Sequence, residues 1–257
     1  MDLATALGIG LGLLAIMTGN LMEGGSPTAL LMIPPMLIVI GGTIGAAVAG
    51  GTMSDAKNAA FALKPAFTGK PVPPADLVPV VVTLADKARR EGLLALEDAI
   101  ADVDDPFLER GVTLAVDGTD PEELREIMEA EVYAKKLADR QSAKFYNDMG
   151  GYAPTIGIVG TVMGLVHVLE NLSQPDELGH LISGAFVATL WGVLSANLIW
   201  LPIGNRLRRL SDLETARMEL VIEGVMAIQA GSNPRAIAQK LRSLLPATKR
   251  EPVEKAA

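Results

Sequence analysis

Apolar residues in this chain gather in four long runs, and the segments between them are polar or charged. Leu3 to Met22 is the first run and Ala29 to Gly51 the second, joined by the short polar stretch EGGSPT at 23–28. Gly150 to Leu172 has no formal charge before Glu170, and His180 to Ile203 has none at all; SQPDELG at 173–179 lies between them. About 20 apolar residues rising about 1.5 Å each cover the roughly 30 Å hydrocarbon core of a bilayer. Each run therefore predicts a membrane-spanning helix. Small residues mark where these helices meet protein rather than lipid: Gly157, Gly160 and Gly164 beside Thr161 in the third, and Gly184, Ala188, Gly192 and Ala196 at successive i, i+4 positions in the fourth. Pro34 and Pro35 stand near the start of the second run, where missing amide donors cost least. Trp200 could anchor the fourth span at the interface, whereas Trp191 sits mid-span and is open to either reading.

The segment 54–149 has a different texture. Lys70 to Pro74 (KPVPP) interrupts any helix. Three soluble helices are expected around it: Asp76 to Arg90, Gly92 to Val103, and one opened by Asp105-Pro106, an N-cap followed by proline at the first helical position. Asp120-Pro121 repeats that device, with Glu122 and Glu123 in the first turn, where negative charge suits the helix dipole. Leu124, Ile127, Met128 and Val132 then follow at helical spacing, predicting an amphipathic helix that leads to Gly150. Beyond Ile203, Arg206, Arg208 and Arg209 end the fourth span. A charged helix is expected to about Ala230, and Pro246 to Ala257 reads as a solvated tail.

The fold class that follows is an all-α membrane protein, with four transmembrane helices and a helical cytoplasmic domain between spans two and three. Its parts are a hairpin at 1–53, the cytoplasmic domain at 54–149, a second hairpin at 150–205, and a C-terminal helix and tail at 206–257. Charge sets the orientation. Twelve of the 22 Lys and Arg residues lie in 54–149 and the other ten after Ile203, while the N-terminus and both short loops have none. The positive-inside rule puts both basic segments and both termini in the cytoplasm. A mean hydropathy of +0.33 agrees with a multi-span protein, and a net charge of −8 argues against a nucleic-acid partner. Without cysteine, the chain has no disulfide framework, thiolate metal site or cysteine nucleophile.

The interiors of the spans hold no Asp, Glu, Lys or Arg. A charge there costs about 2.5–3.5 kcal/mol on insertion scales and is kept mainly for function. If ions pass, the titrating carboxylate must come from another subunit and this chain supplies the wall. Thr161 and Thr189 could line such a path, or each could bond its own i−4 carbonyl. Pro154 and Pro202, at the cytoplasmic edges of spans three and four, each free a carbonyl and could act as hinges, or could be ordinary helix-end prolines. His167 and Glu170 stand at i, i+3, a spacing that can hold metal, but with no second His–Glu pair in the spans a polar boundary residue is the preferred reading. HExxH, P-loop and GxSxG signatures are absent, so no enzyme, cofactor or metal is expected. The charges at 88–98 (ARREGLLALED) make either a solvated face or an electrostatic contact to a cytoplasmic partner.

Taken together, the chain resembles the MotA/PomA family of flagellar motor stator subunits over nearly its whole length. The resemblance rests on MDLAT at the start, GLLALE at 92–97, VDGTDPEELR at 116–125, GGYAPTIGIVGTVMGLV at 150–166, ATLWGVLSANLIWLPI at 188–203 and GVMAIQAGSNPRAI at 224–237. It implies a pentameric ring in the bacterial inner membrane around two copies of a single-span MotB/PomB-like partner. That partner carries the ion-binding aspartate and anchors to peptidoglycan. It also implies that Thr161 and Thr189 line the path of H+ or Na+, that Pro154 and Pro202 are the functional prolines, and that Glu97 with Arg89 or its equally basic neighbour Arg90 touches the rotor protein FliG. Ion flow would step the ring around the partner and push the rotor. Two other readings are an ExbB/TolQ-like energiser of envelope transport, which typically has three spans, and a non-conducting membrane scaffold.

Overall fold

A computed structural model describes residues 4–70, 72–101 and 103–245; the expected tail at 246–257, and Leu3 and Pro71 within their expected segments, lie outside the described residues. The chain is helical, with α1 (Ala4–Met22), α2 (Pro27–Leu30), α3 (Ile33–Ala49), α4 (Met53–Thr68), α5 (Pro74–Glu91), α6 (Leu96–Ile100), α7 (Pro106–Val116), α8 (Pro121–Glu170), α9 (Pro175–Ser195), α10 (Leu201–Gln229) and α11 (Pro234–Leu244). A 3-10 turn, Leu93–Ala95, precedes α6, and a π turn, Ala196–Trp200, joins α9 to α10. Four helical stretches are long and apolar enough to cross a membrane: Ala4–Met22, Pro27–Ala49, and parts of Pro121–Glu170 and Pro175–Gln229. The four-span, all-helical expectation holds.

Residues divide into two compact units, Met1–Lys70 with Ala138–Leu210, and Pro71–Leu137 with Ser211–Ala257. In the first unit the second span is not one helix. The chain breaks at Leu31–Met32 and restarts at Ile33, so that Pro34 and Pro35 fall in the first turn, where amides have no helical acceptor. The break leaves the Leu30 carbonyl without a helical donor, and the Trp191 indole N–H donates to it at 2.6 Å. Trp191 is thus a buried strut between spans. Trp200 packs on a cluster that includes Ile203 and Leu207, and its N–H is buried with no partner among the described residues. Sequence reading missed α4, although its start is written plainly. Thr52 and Asp55 form a capping box, with the Asp55 N–H donating to Thr52 Oγ1 at 3.2 Å and the Thr52 N–H to Asp55 Oδ2 at 2.8 Å. The Tyr146 hydroxyl donates to the Ala59 carbonyl at 2.8 Å and fastens α4 to α8.

The second unit is built on a conventional apolar core. Leu77, Val81 and Leu84 of α5, Leu108 and Val112 of α7, Leu124, Met128 and Val132 of α8, Val221 and Val225 of α10, and Leu241 of α11 are all buried in it. The stripe on α8 runs at i, i+4, i+8; Ile127, expected on that face, lies off it and is 41% exposed. Among the described residues, the single helix expected over 92–103 does not form. Gly92 ends α5 at a φ of +89°, open to glycine and costly to other residues, and only the 3-10 turn and the short α6 follow. The caps at 105 and 120 form as expected. Asp105 Oδ1 accepts from the Phe107 and Leu108 amides at 3.1 Å each, and Asp120 Oδ1 from the Glu122 amide at 2.9 Å. The other oxygen of buried Asp105 bonds Arg217, whose guanidinium also holds Glu214 at 2.6 Å. Burial opposes the Arg217 charge, yet these carboxylates outweigh it and hold the guanidinium above its ordinary pKa.

Candidate functional site in the third and fourth spans

Glycine decides how closely α8 and α9 approach. A Cβ placed on Gly157 would sit 3.0 Å from the Ala188 carbonyl oxygen and 3.1 Å from Gly192 Cα. One placed on Gly192 would sit 2.7 Å from the Ala153 carbonyl oxygen and 3.3 Å from Pro154 Cα. The two backbones touch at this crossing with no side chain between them, and Pro154 lies directly beside it. One turn along, Gly160 faces Ala188, and a further turn on Gly164 faces Ala185. Of the small residues picked out on the fourth span, Ala188 and Gly192 meet α8, whereas Gly184 faces Met32 and Pro35.

This close approach brings Thr161 and Thr189 together, hydroxyl to hydroxyl. Thr161 Oγ1 also lies 2.9 Å from the Ala185 carbonyl across the interface and 3.1 Å from its own Gly157 carbonyl. Carbonyls only accept, and Thr161 has one proton to give. When Thr161 donates to a carbonyl, its contact with Thr189 is satisfied by the Thr189 proton. The Thr189 oxygen then keeps lone pairs for a third group. Both residues are partly exposed, so that group can be water or a cation. Thr161 thus bonds its i−4 carbonyl and also joins Thr189 in a polar pair within an apolar wall.

Pro154 does not break α8, which is continuous from Pro121 to Glu170. Pro202 does leave a mark. It cannot donate to the carbonyl four residues back, and the turn before it widens, so that the Leu201 N–H reaches the Ala196 carbonyl five residues away. Pro202, Asn205 and Arg206 line a cavity of about 420 Å³ with Thr5 and Gly8 of α1. Arg89, Arg90 and Glu97 lie in the other unit, all exposed, on the last turn of α5 and on α6. Arg90 pairs with Asp86 at 2.8 Å, whereas Arg89 has no ion pair among the described residues.

The arrangement is that of a multi-span membrane protein whose glycine-packed wall offers neutral oxygens and no charge. Residues 99–220 match the MotA/TolQ/ExbB proton channel family, and residues 6–92 the motility protein A N-terminal family. Motility protein A of Bacillus subtilis is 41% identical over 97% of this chain and 93% of its own. Chemotaxis protein PomA of Vibrio alginolyticus is 34% identical over 97% and 98%. The structure superposes on that of C. jejuni MotAB with a TM-score of 0.91 at 32% identity, covering 96% of this chain and 97% of the other. For the flagellar MotAB stator complex from Bacillus subtilis the TM-score is 0.87 at 40% identity, covering 95% and 96%. The chain belongs to the motility protein A branch of the MotA/TolQ/ExbB proton channel family.

Proposed function

We propose that this chain is a flagellar motor stator subunit, forming with a MotB-like single-span partner an ion channel that turns ion flow into torque. The observation that carries this reading is the paired hydroxyls of Thr161 and Thr189, held at a glycine crossing in spans without a carboxylate. Such a wall can guide a cation but cannot bind and release it alone. The ion-binding aspartate belongs to the partner, as the family resemblance implies. The match of residues 6–92 to the motility protein N-terminal family favours a stator over an ExbB/TolQ-like energiser. Five copies surround the partner in the bacterial inner membrane, with both termini, 54–149 and 206–257 in the cytoplasm. Pro154 beside the crossing and Pro202 after the π turn are the coupling points, and Arg89 or Arg90 with Glu97 contacts FliG.

The driving ion is H+ or Na+, and one experiment tests both ion and function. Motor torque is measured in cells carrying this chain and its partner gene, with external sodium varied at fixed pH. Torque that vanishes without sodium identifies a sodium-driven stator. Torque indifferent to sodium and abolished by a protonophore identifies a proton-driven one. Absence of torque under both conditions, with both proteins in the membrane, refutes the stator assignment.

A further inference from the structure

Three contacts fix where α4 lies relative to the spans. It starts at Met53, after only three residues beyond the end of α3, the second span. Near its middle, the Ala59 carbonyl is held by Tyr146, which precedes Gly150 by about 6 Å along α8. At its end, Arg206 Nη2 donates to the carbonyl of Gly69, the C-cap, at 3.2 Å, and Arg206 stands just beyond Ile203, the last residue of the fourth span. A helix of 16 residues is about 24 Å long. Were α4 to point away from the bilayer, Gly69 would lie about that far from it, out of reach of Arg206. The helix therefore runs along the membrane edge. Ala59 and Ala66 bury its inner side. On the opposite side Met53, Lys57, Phe61 and Lys64 fall within about 80° of one another, and all four are exposed, Phe61 by 79%. Neither lysine has an ion pair among the described residues. The helix's one carboxylate, Asp55, lies round from this face and is engaged by Thr52.

We propose that Lys57, Phe61 and Lys64 dock on the headgroup layer of the cytoplasmic leaflet and select anionic phospholipid there. The two ammonium groups meet lipid phosphate. Phe61 enters the boundary between headgroup and acyl chain, where the aromatic residues of interfacial helices sit. Arg208 and Arg209, exposed at the foot of the fourth span, add to the attraction for a negatively charged surface. A second copy of this chain fits the face less well, because lysine is depleted from protein–protein interfaces. Docking holds α4 at a set height and, through the Ala59–Tyr146 bond, steadies the base of the third span. This contact needs only the four-span orientation and holds whatever the chain drives.

The test measures lipid proximity on the full chain with its partner in nanodiscs. Because the chain lacks cysteine, Asn58→Cys, exposed beside Lys57, carries one fluorophore per copy, with any cysteine of the partner replaced by serine. Nitroxide-labelled phosphatidylglycerol and phosphatidylcholine serve in turn as quenchers at the same dilution. The expected result is stronger quenching by phosphatidylglycerol, an enrichment of about five-fold per lysine that K57Q/K64Q removes and K57R/K64R keeps. Equal quenching by the two lipids in the parent overturns the proposal, as does an enrichment that K57Q/K64Q leaves intact. Absence of quenching by either lipid also overturns it and marks a face covered by protein. Should K57Q/K64Q fail to assemble, salt decides on the parent. At 1 M salt the Debye length falls to about 3 Å and the enrichment should vanish; its survival overturns the proposal.

Discussion

Replacing Gly192 by alanine puts one methyl group where α8 and α9 touch. Its Cβ would lie 2.7 Å from the Ala153 carbonyl oxygen and 3.0 Å from Gly157 Cα. Both neighbours are backbone, so no rotamer change relieves the clash. Ordinary contact begins near 3.4 Å, so the helices must part by about 0.7 Å at this point. Carried one turn along to Thr161, that shift stretches the 2.9 Å bond to the Ala185 carbonyl to about 3.6 Å, beyond hydrogen-bonding range. Overpacking of this kind costs about 1–3 kcal/mol, too little to empty the membrane of protein but enough to open the hydroxyl pair. The expected outcome for G192A is near-normal abundance in the membrane, a lowered melting temperature of the purified complex and a large loss of torque. Gly10→Ala serves as the control, because nothing lies within 4 Å of a Cβ there. Parent-like torque and melting temperature in G192A would refute the account of the crossing.

Three other outcomes are expected. Thr189→Val keeps shape and loses the hydroxyl, so torque falls at unchanged membrane abundance, while Thr189→Ser restores most of it; equal torque in the two variants would show that the hydroxyl is idle. Asp105→Ala removes an N-cap and leaves Arg217 with one partner instead of two, destabilising the second unit by about 3 kcal/mol, read as faster proteolysis of the purified complex between α6 and α8. Glu223 is held below its ordinary pKa of 4.5, chiefly by its bond to Lys240 at 2.5 Å and also by Arg125 at 2.9 Å. Below 4.5 the unfolded chain takes up this proton first, so the contribution is full above that pH and is lost as pH falls through the folded value; Glu223→Gln should flatten that part of the stability–pH curve, measured by thermal melting.

Length, charge and run pattern carried most of the fold, because a bilayer accepts few solutions for an uncharged run of this length. The caps at Asp105 and Asp120 were equally legible, since each acts within three residues of itself. What escaped the sequence depends on partners far along the chain or on how local conflicts resolve. The Asp105–Arg217 bond joins residues 112 apart, and nothing local to Arg217 announces it. Ile127 fits helical spacing as well as Met128 does, and only the position of the surrounding helices decides which is buried. Gly92 looks like a helix start in the sequence, and its positive φ makes it a stop. At the site, Thr161 and Thr189 were found as isolated hydroxyls. Their meeting required the register of two helices, which the Gly157–Gly192 contact sets. The Thr52–Asp55 capping box, in contrast, was open to reading and announces α4.

The bareness of the wall has an electrical meaning. Moving one elementary charge through 100 mV of membrane potential is worth about 2.3 kcal/mol. Residues 150–169 and 180–203 contain no formal charge on which that field could act. A tilt, slide or rotation of these helices therefore exchanges almost no work with the voltage, and this chain has no gating charge of its own. Whatever energy the potential delivers must enter through the mobile ion and the group that carries it. The wall then converts it purely by contact, as a cam follows a shaft.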